Sequence, residues 1–288
     1  MSSASYIEFH ARSAFSFLQG AATPEDLAAR SAELECPAMA LVDRDGIYGA
    51  PRFHMAAKKL GIRAHIGAEV TATDGSHYPL LVETRTGYRN LCRLITLLKL
   101  RAKKGEGAAS PDEIAAHAAG LVCLTGDEHG PLFGGPGRPL RENAERLIRM
   151  FGRENVCAEL QRHYLRDEEE RNQAVVEMAR GLRLPLLATN GVSYAARGGR
   201  QALDVLTAIR HKTTLEAAGR LLDRNSERHL KSAAEMSRLF ADLPEAIANT
   251  RELSARLTFT LAELGYEFPR YPVPPGDDMN SFLRKRTE

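Results

Sequence analysis

Between residues 6 and 188, short apolar runs alternate with stretches in which apolar residues recur at helical spacing. The runs predict seven strands, at residues 6–9, 38–42, 62–70, 78–83, 121–124, 156–160 and 184–188. Strands that alternate with helices are typical of a parallel sheet with right-handed crossovers. Seven strands favour a closed or nearly closed barrel over a short open sheet. The pattern therefore predicts an α/β fold.

The helix starts carry recognisable signals. Thr23 precedes Pro24 and two acids, which predicts an N-cap with proline at the first helical position. Ser110 and Ser232 each stand three residues before a glutamate and predict capping boxes.

The alternation of strands and helices stops after residue 194. Four helices are predicted there with no strand between them, at 200–210, 214–222, 232–240 and 243–257. Residues 266–276 (YEFPRYPVPPG) are too proline-rich for a helix or a central strand and predict an extended linker. We therefore expect three regions: a barrel at 1–198, a helical extension at 199–265, and a linker with the start of a further region at 266–288.

Composition narrows the function classes only slightly. The chain has 288 residues, 43% of them hydrophobic and 26% charged, with a net charge of +2, so any nucleic-acid contact must come from a local basic patch. Four scattered cysteines favour reduced core residues over disulfides or a zinc knuckle. The N-terminus lacks the pattern of a signal peptide, and no apolar run is long enough to cross a membrane. We expect a cytoplasmic protein without a membrane partner.

Polar residues that could bind a metal stand at successive strand ends. His10, Asp43, Glu69, Asp127 and His163 follow predicted strands, and His77 precedes the fourth strand. Because sites in parallel α/β folds lie at the carboxyl ends of strands, we expect these side chains to converge at one rim. Imidazoles and carboxylates are the ligands of divalent-metal phosphoesterases, in which the metals activate water and neutralise phosphate charge.

Two arginines interrupt this set. Arg12 and Arg44 stand beside His10 and Asp43, and a guanidinium cannot lose its proton to bind a metal. We expect both arginines to pair with the neighbouring acids Asp43 and Glu69, and so to supply the cations that a metal would otherwise provide. An alternative is that they bind a phosphate. Gly191 and Ser193, after the seventh strand, are poor metal ligands.

The chain resembles a known family. It is similar to the N-terminal PHP (polymerase and histidinol phosphatase) domain of bacterial C-family DNA polymerases, and most like the error-prone branch. The resemblance covers essentially the whole chain and is carried by residues 6–20 (YIEFHARSAFSFLQG), 40–49 (ALVDRDGIYG), 61–70, 87–96 (GYRNLCRLIT), 159–163 (ELQRH), 187–190 (LATN), 211–222 (HKTTLEAAGRLL), 227–239 (ERHLKSAAEMSRL) and 266–275.

The resemblance implies a seven-stranded (β/α) PHP barrel, followed by a small all-helical extension, with a trinuclear metal site at the rim. The positions that keep a ligand-type residue are His10, Asp43, Glu69, His77, His163 and, where the family usually has cysteine, Asp127. Arg12 and Arg44 replace histidines of the first two motifs, and Gly191 and Ser193 replace the last Asp-x-His. With these losses we expect no complete centre and no confident catalytic residue; any cofactor would be a divalent metal (Zn, Mn or Mg) at partial occupancy.

The resemblance also implies a role in error-prone DNA synthesis and repair. The intact protein would be a nucleotidyltransferase that continues beyond residue 288 into its polymerase regions. The expected partners are the rest of that chain, DNA through the intact polymerase, and other mutagenesis or replication proteins. For the domain itself, a structural or interaction role is our first hypothesis. The alternatives are an active metal-dependent phosphoesterase or 3′→5′ proofreading exonuclease, and an anion- or phosphate-binding module.

Overall fold

The computed structural model describes residues 5–103, 105–134, 138–264 and 271–288. All seven predicted strands are present in one sheet. Their bounds are Glu8–Ala11 (β1), Ala38–Arg44 (β2), Arg63–Thr71 (β3), His77–Val82 (β4), Leu121–Leu124 (β5), Val156–Leu160 (β6) and Leu186–Ala188 (β7). The strands are buried along nearly their whole length, as expected for a sheet that is covered on both faces.

Helices surround the sheet and follow it, and those whose starts were predicted begin close to the predicted residues. They are Pro24–Glu33 (α1), Ala50–Lys59 (α2), Arg85–Leu100 (α3), Pro111–Ala116 (α4), Leu140–Phe151 (α5), Arg166–Leu182 (α6), Arg200–Arg210 (α7), Leu215–Ala218 (α8), Ala233–Leu239 (α9), Pro244–Arg256 (α10) and Met279–Thr287 (α11). Capping boxes at Thr23, Ser110 and Ser232 start α1, α4 and α9 and confirm the sequence signals.

Strand order follows chain order from β1 to β7, but the prediction of an all-parallel sheet is wrong. β4 runs antiparallel to both β3 and β5. The connection from β3 to β4 is a short hairpin rather than a crossover helix, and such a link requires antiparallel pairing. Because β4 is reversed, its first residue, His77, lies at the rim where the parallel strands end.

The sheet nearly closes into a barrel between β1 and the segment that follows β7. Ala11 and Val192 form a parallel bridge, in which the Arg12 amide donates to the Val192 carbonyl at 2.8 Å and the Val192 amide donates to the His10 carbonyl at 2.8 Å. Closure therefore brings the first polar motif of the chain against the last one.

Apolar side chains from six strands fill the barrel interior, among them Phe9, Val42, Leu81, Leu124 and Leu187, together with two leucines at the end of α10. Two outer clusters pack the surrounding helices against the sheet. The barrel interior is therefore a packed core, with a cluster of polar side chains at the rim where the parallel strands end and His65 near the start of β3.

The predicted helical extension follows β7, but its second helix is shorter than expected. α8 covers four residues, and a 3₁₀ turn at Gly219–Leu221 replaces the rest of the predicted stretch. The division into three regions stays a prediction. Residues 265–270, which are the last residue of the predicted extension and the start of the predicted linker, lie outside the described residues, and 271–278 contain no helix or strand. None of the described helices has the length and apolarity needed to span a bilayer.

One glycine contact offers a test of the outer packing. A Cβ atom at Gly87, on α3, would lie 1.8 Å from the backbone oxygen of Gly120, so Gly87→Ala should lower the free energy of unfolding by roughly 2–4 kcal/mol. Gly181 on α6 is the matched control, because its added Cβ meets only the end of the Arg141 side chain at 3.6 Å. Gly181→Ala should be neutral or stabilise by up to about 1 kcal/mol. Urea unfolding followed by circular dichroism measures both, and equal effects would contradict the packing argument.

A buried histidine predicts acid sensitivity. His65 on β3 lies 2.7 Å from the Ser254 hydroxyl on α10, and burial together with the Arg63 charge lowers its pKa to about 3. The unfolded chain, with a histidine pKa of about 6.5, binds this proton more readily, so this contribution to stability is complete above that pH and declines as the pH falls towards 3. His65→Gln should therefore flatten the loss of stability between about pH 6.5 and 4.5. An unchanged slope in urea titrations across this range would contradict the assignment.

Candidate functional site

At the centre of the rim, the carboxylate of Glu69 is held by two arginines. Arg12 donates from Nε to Oε2 at 2.8 Å and from Nη2 to Oε1 at 3.1 Å, and Arg44 donates from Nε to Oε2 at 3.1 Å. The side chain of Glu69 is 1% exposed. Burial alone would raise its pKa, but Arg12, Arg44 and His10 hold the pKa well below its ordinary value. The carboxylate is therefore ionised and shared by two cations.

The expected pairing of the arginines with Asp43 does not occur. Asp43 instead accepts from the Ser13 amide at 2.7 Å, from the Ser13 hydroxyl and from the Ser16 hydroxyl at 2.8 Å. Side chains alternate along a strand, so Arg44 shares the interior face of β2 with Val42, whereas Asp43 points to the opposite face. Asp43 thus anchors the loop after β1 and does not compensate Arg12 or Arg44.

His10 is fully buried and is paired with a carboxylate that the sequence analysis did not single out. Its Nδ1 lies 2.7 Å from Oε1 of Glu159 on β6, and its Nε2 lies 3.8 Å from Oε1 of Glu69. Burial lowers the pKa of His10, but Glu159 and Glu69 outweigh it and raise the pKa to about 10. The imidazole is thus held between two carboxylates, with its Nε2 also 3.4 Å from Nη2 of Arg12.

His77 and Asp127 both lie beside an arginine. Nε2 of His77 is 2.7 Å from Nη1 of Arg44, and burial and the Arg44 charge lower the pKa of His77 to about 4. His77 is therefore neutral and accepts the hydrogen bond. Asp127 accepts from the His129 amide at 2.9 Å and has Oδ2 3.8 Å from Nη2 of Arg12. Burial raises the pKa of Asp127, whereas Arg12 and Arg228 bring it down to about 2.

His163 is engaged elsewhere. Its Nδ1 lies 2.5 Å from Oε1 of Glu168, and its Nε2 lies 2.9 Å from the carbonyl oxygen of Asn190. Both ring nitrogens thus face acceptor oxygens. His163 links the segment after β6 to the segment after β7 and does not join the cluster around Glu69.

Gly191 and Ser193 flank the residue that closes the barrel. Gly191 has φ of +53°, and a Cβ atom there would lie 2.6 Å from Oε1 of Gln161 and 2.8 Å from Nη1 of Arg228. Ser193 lines a cleft above Arg12 and Arg44. Neither residue brings a metal-binding side chain to the rim.

These contacts allow a direct test of the metal centre that the resemblance implies. Both oxygens of Glu69 accept hydrogen bonds from guanidinium groups, and the accessible lone pair of His77 is directed at Arg44. Among the described residues, no group of three or more His, Cys, Asp or Glu side chains is arranged to hold a metal ion. The residues present do not fit a trinuclear centre, because two fixed cations stand among its donor positions.

The cleft above the cluster has a volume of about 320 Å³ and lies between the barrel rim and the helical extension. Arg12, Arg44 and His77 line it from the barrel, whereas Arg210 and Arg228 line it from the extension. Neither extension arginine was predicted, because both lie far along the chain from the strand-end motifs. Glu8 and Glu159 were missed too, although an acid inside an apolar strand was a signal for both.

The comparisons with known proteins agree with this architecture. A family model described as the PHP domain matches residues 8–163, which is more than half of the chain. The chain belongs to the PHP domain family. An error-prone DNA polymerase of Dechloromonas aromatica (strain RCB) is 38% identical over 292 residues, which cover 100% of this chain and 28% of that protein.

A second error-prone DNA polymerase, from Mycolicibacterium paratuberculosis, is 37% identical over 303 residues, covering 99% of this PHP chain and 28% of the relative. The chain thus spans only about a quarter to a third of the length of these curated relatives. Among solved structures, endonuclease Q in complex with a 27-mer duplex carrying an abasic lesion matches with a TM-score of 0.40 and 13% identity, covering 65% of this chain and 49% of that chain.

Glu69→Gln should be strongly destabilising, because it leaves Arg12 and Arg44 partly buried without their shared carboxylate. We expect a loss of roughly 3–5 kcal/mol in the free energy of unfolding, measured by urea denaturation. The control is Glu25→Gln, which breaks the exposed pair of Glu25 with Arg52 at 2.6 Å and should cost less than about 1 kcal/mol. A Glu69→Gln chain as stable as the control would show that the cluster is dispensable.

Proposed function

We propose that this chain is the N-terminal PHP domain of an error-prone DNA polymerase, with a degenerate metal site and a structural or interaction role instead of hydrolysis. The observation that carries the proposal is the double engagement of Glu69 by Arg12 and Arg44. A carboxylate that already balances two guanidinium groups has no charge left with which to recruit a divalent cation.

The substitutions act together. Replacement of a ligand histidine by arginine at positions 12 and 44 removes two lone pairs and adds two permanent positive charges, which repel a metal ion. Asp43 is committed to the Ser13 loop, and His163 is committed to Glu168 and Asn190. In divalent-metal phosphoesterases the metals activate the attacking water, so a rim that holds no metal would lack this step.

The polymerase assignment is supported by relatives that align along essentially the whole chain and continue well beyond it. The partners would then be the remainder of the polymerase and, through it, DNA in the cytoplasm. A barrel whose rim is fastened by fixed ion pairs suits a rigid platform for such partners, because its geometry does not depend on metal supply.

Metal analysis tests the proposal. The chain, purified and equilibrated with Zn²⁺ or Mn²⁺ and then dialysed, should retain only substoichiometric metal by elemental analysis. It should also fail to hydrolyse an aryl phosphate or remove nucleotides from a 3′ DNA end. Stoichiometric metal, together with hydrolysis that disappears in His10→Ala, would establish the active phosphoesterase instead.

A graded series identifies which substitutions matter, with folding of each variant checked by circular dichroism. Arg12→His with Arg44→His should not restore metal binding, since positions 191 and 193 still lack ligands. A fourfold variant that also carries Gly191→Asp and Ser193→His supplies ligands at these two positions. The added Cβ at position 191 must displace the side chain of Gln161 or Arg228. Metal recovered in the double variant would show that the last motif is not needed.

A further inference from the structure

Three arginines that line the cleft have guanidinium nitrogen atoms that donate no hydrogen bond to a described residue. Arg12 and Arg44 use their Nε atoms and one terminal nitrogen each for Glu69 and His77, which leaves Nη1 of Arg12 and Nη2 of Arg44 without a hydrogen bond to any described residue. Both groups line the same cleft. Unused guanidinium donors that converge on one space are the usual means of holding an oxyanion.

Arg210 adds a third cation from the opposite wall. It is the last residue of α7, and its side chain forms no ion pair with the described residues; its single hydrogen bond runs from Nε to Nε2 of His211 at 3.3 Å. Burial lowers the pKa of Arg210, and the charges of Arg44 and Arg12 lower it further. The three guanidinium groups therefore repel one another across the cleft, and an anion between them would relieve that repulsion.

Carboxylates also line the cleft, and two of the three already have partners. Asp127 lies beside Arg12 at 3.8 Å, and Glu128 pairs with Arg171 at 3.2 Å and with Arg228 at 3.9 Å. Asp223 is the remaining one and competes with an incoming anion. We therefore expect binding of modest strength, with a Kd of about 1 mM.

A neighbouring cleft of about 340 Å³ differs in how its charged side chains are paired. It shares Glu128, Asp223 and Arg228 with the first, but its own charges largely pair with each other, as in Arg171 with Glu128 at 3.2 Å and Arg224 with Asp167 at 3.9 Å. Arg220 is an exception, since it lines the second cleft without an ion pair to a described residue, but three guanidinium groups with unused donors line the first. This favours one compact oxyanion over an extended polyanion lying across both.

We propose that Arg12, Arg44 and Arg210 hold one phosphate group in the cleft between barrel and extension, without a metal and without cleaving it. The inference rests on the proposed function, because a metal at Glu69 would require the two barrel arginines to move. The phosphate could be free in solution or could be the terminal phosphate of a nucleic acid.

Calorimetric titration of inorganic phosphate into the EDTA-treated 288-residue chain, at constant ionic strength in chloride, tests the proposal. We expect one site, with binding weakened about tenfold or more by Arg210→Gln, since charge-assisted hydrogen bonds are lost. Arg210 is exposed, so this variant should fold normally, which circular dichroism checks. Arg149→Gln is the matched control, because Arg149 is also exposed, has no ion pair among the described residues and does not line the cleft.

A second titration distinguishes the two sources of phosphate. It uses a short deoxyoligonucleotide with a 5′-phosphate and the same strand with a 5′-hydroxyl. If the 5′-phosphorylated strand binds, the 5′-hydroxyl strand does not, and inorganic phosphate competes with the bound strand, the source is a nucleic-acid end. If inorganic phosphate binds and neither strand does, the source is a free anion. Equal binding of both strands, or phosphate binding that Arg210→Gln leaves unchanged, would overturn the proposal.

The outcomes also separate this inference from the proposed function. No phosphate binding by a chain that retains no metal would overturn the anion site and leave the degenerate PHP domain standing. Phosphate binding that appears only after Zn²⁺ or Mn²⁺ is added would overturn both, because it would require a working metal centre.

Discussion

The buried carboxylate of Glu69 must have positive charge beside it, and this constraint organises the rim of the barrel. Glu69 lies on β3, Arg12 follows β1, and Arg44 ends β2, so one charge cluster ties three adjacent strands together where they end. An isolated carboxylate in such a place would cost several kcal/mol and would take up a proton instead. This chain meets the requirement with two guanidinium groups, whose charge is permanent. The price is chemical, since arginine neutralises charge but provides no open coordination position.

Much of this arrangement could be read from the sequence, because local signals and the global fold agree. The apolar runs predicted all seven strands, and the capping residues Thr23, Ser110 and Ser232 marked helix starts that the structure confirms. The reversal of β4 could not be derived from apolar periodicity, which is the same for parallel and antiparallel strands. The absence of a helical stretch between residues 70 and 78 was the available signal. That reversal is what brings His77 to the rim, although it precedes its strand.

Within the site, strand alternation explains both the successes and the errors. Arg44 lies one residue beyond Asp43, and two neighbours on a strand cannot face the same side. Applying that rule to residues 42–44 would have predicted that Arg44 reaches Glu69 while Asp43 turns away. The same alternation predicts that Glu159 points into the barrel, because Cys157, two residues earlier on β6, lies on the interior face. Arg210 is different, because its place over the rim depends on how the helices after β7 pack on the barrel, and no local pattern encodes that.

The closure of the barrel shows why changes at distant positions in the chain belong together. Val192 bridges to Ala11, so residues 191 and 193 lie against residues 10 and 12 although about 180 positions separate them in sequence. Neither segment carries a carboxylate, and Arg12 in the first of them balances Glu69 on β3. Gly191 leaves space that Gln161 and Arg228 occupy, and a side chain at position 191 would have to displace them. The ion pairs of Arg12 and the packing around residue 191 thus meet at the barrel closure, so a substitution in either segment must be accommodated by the other.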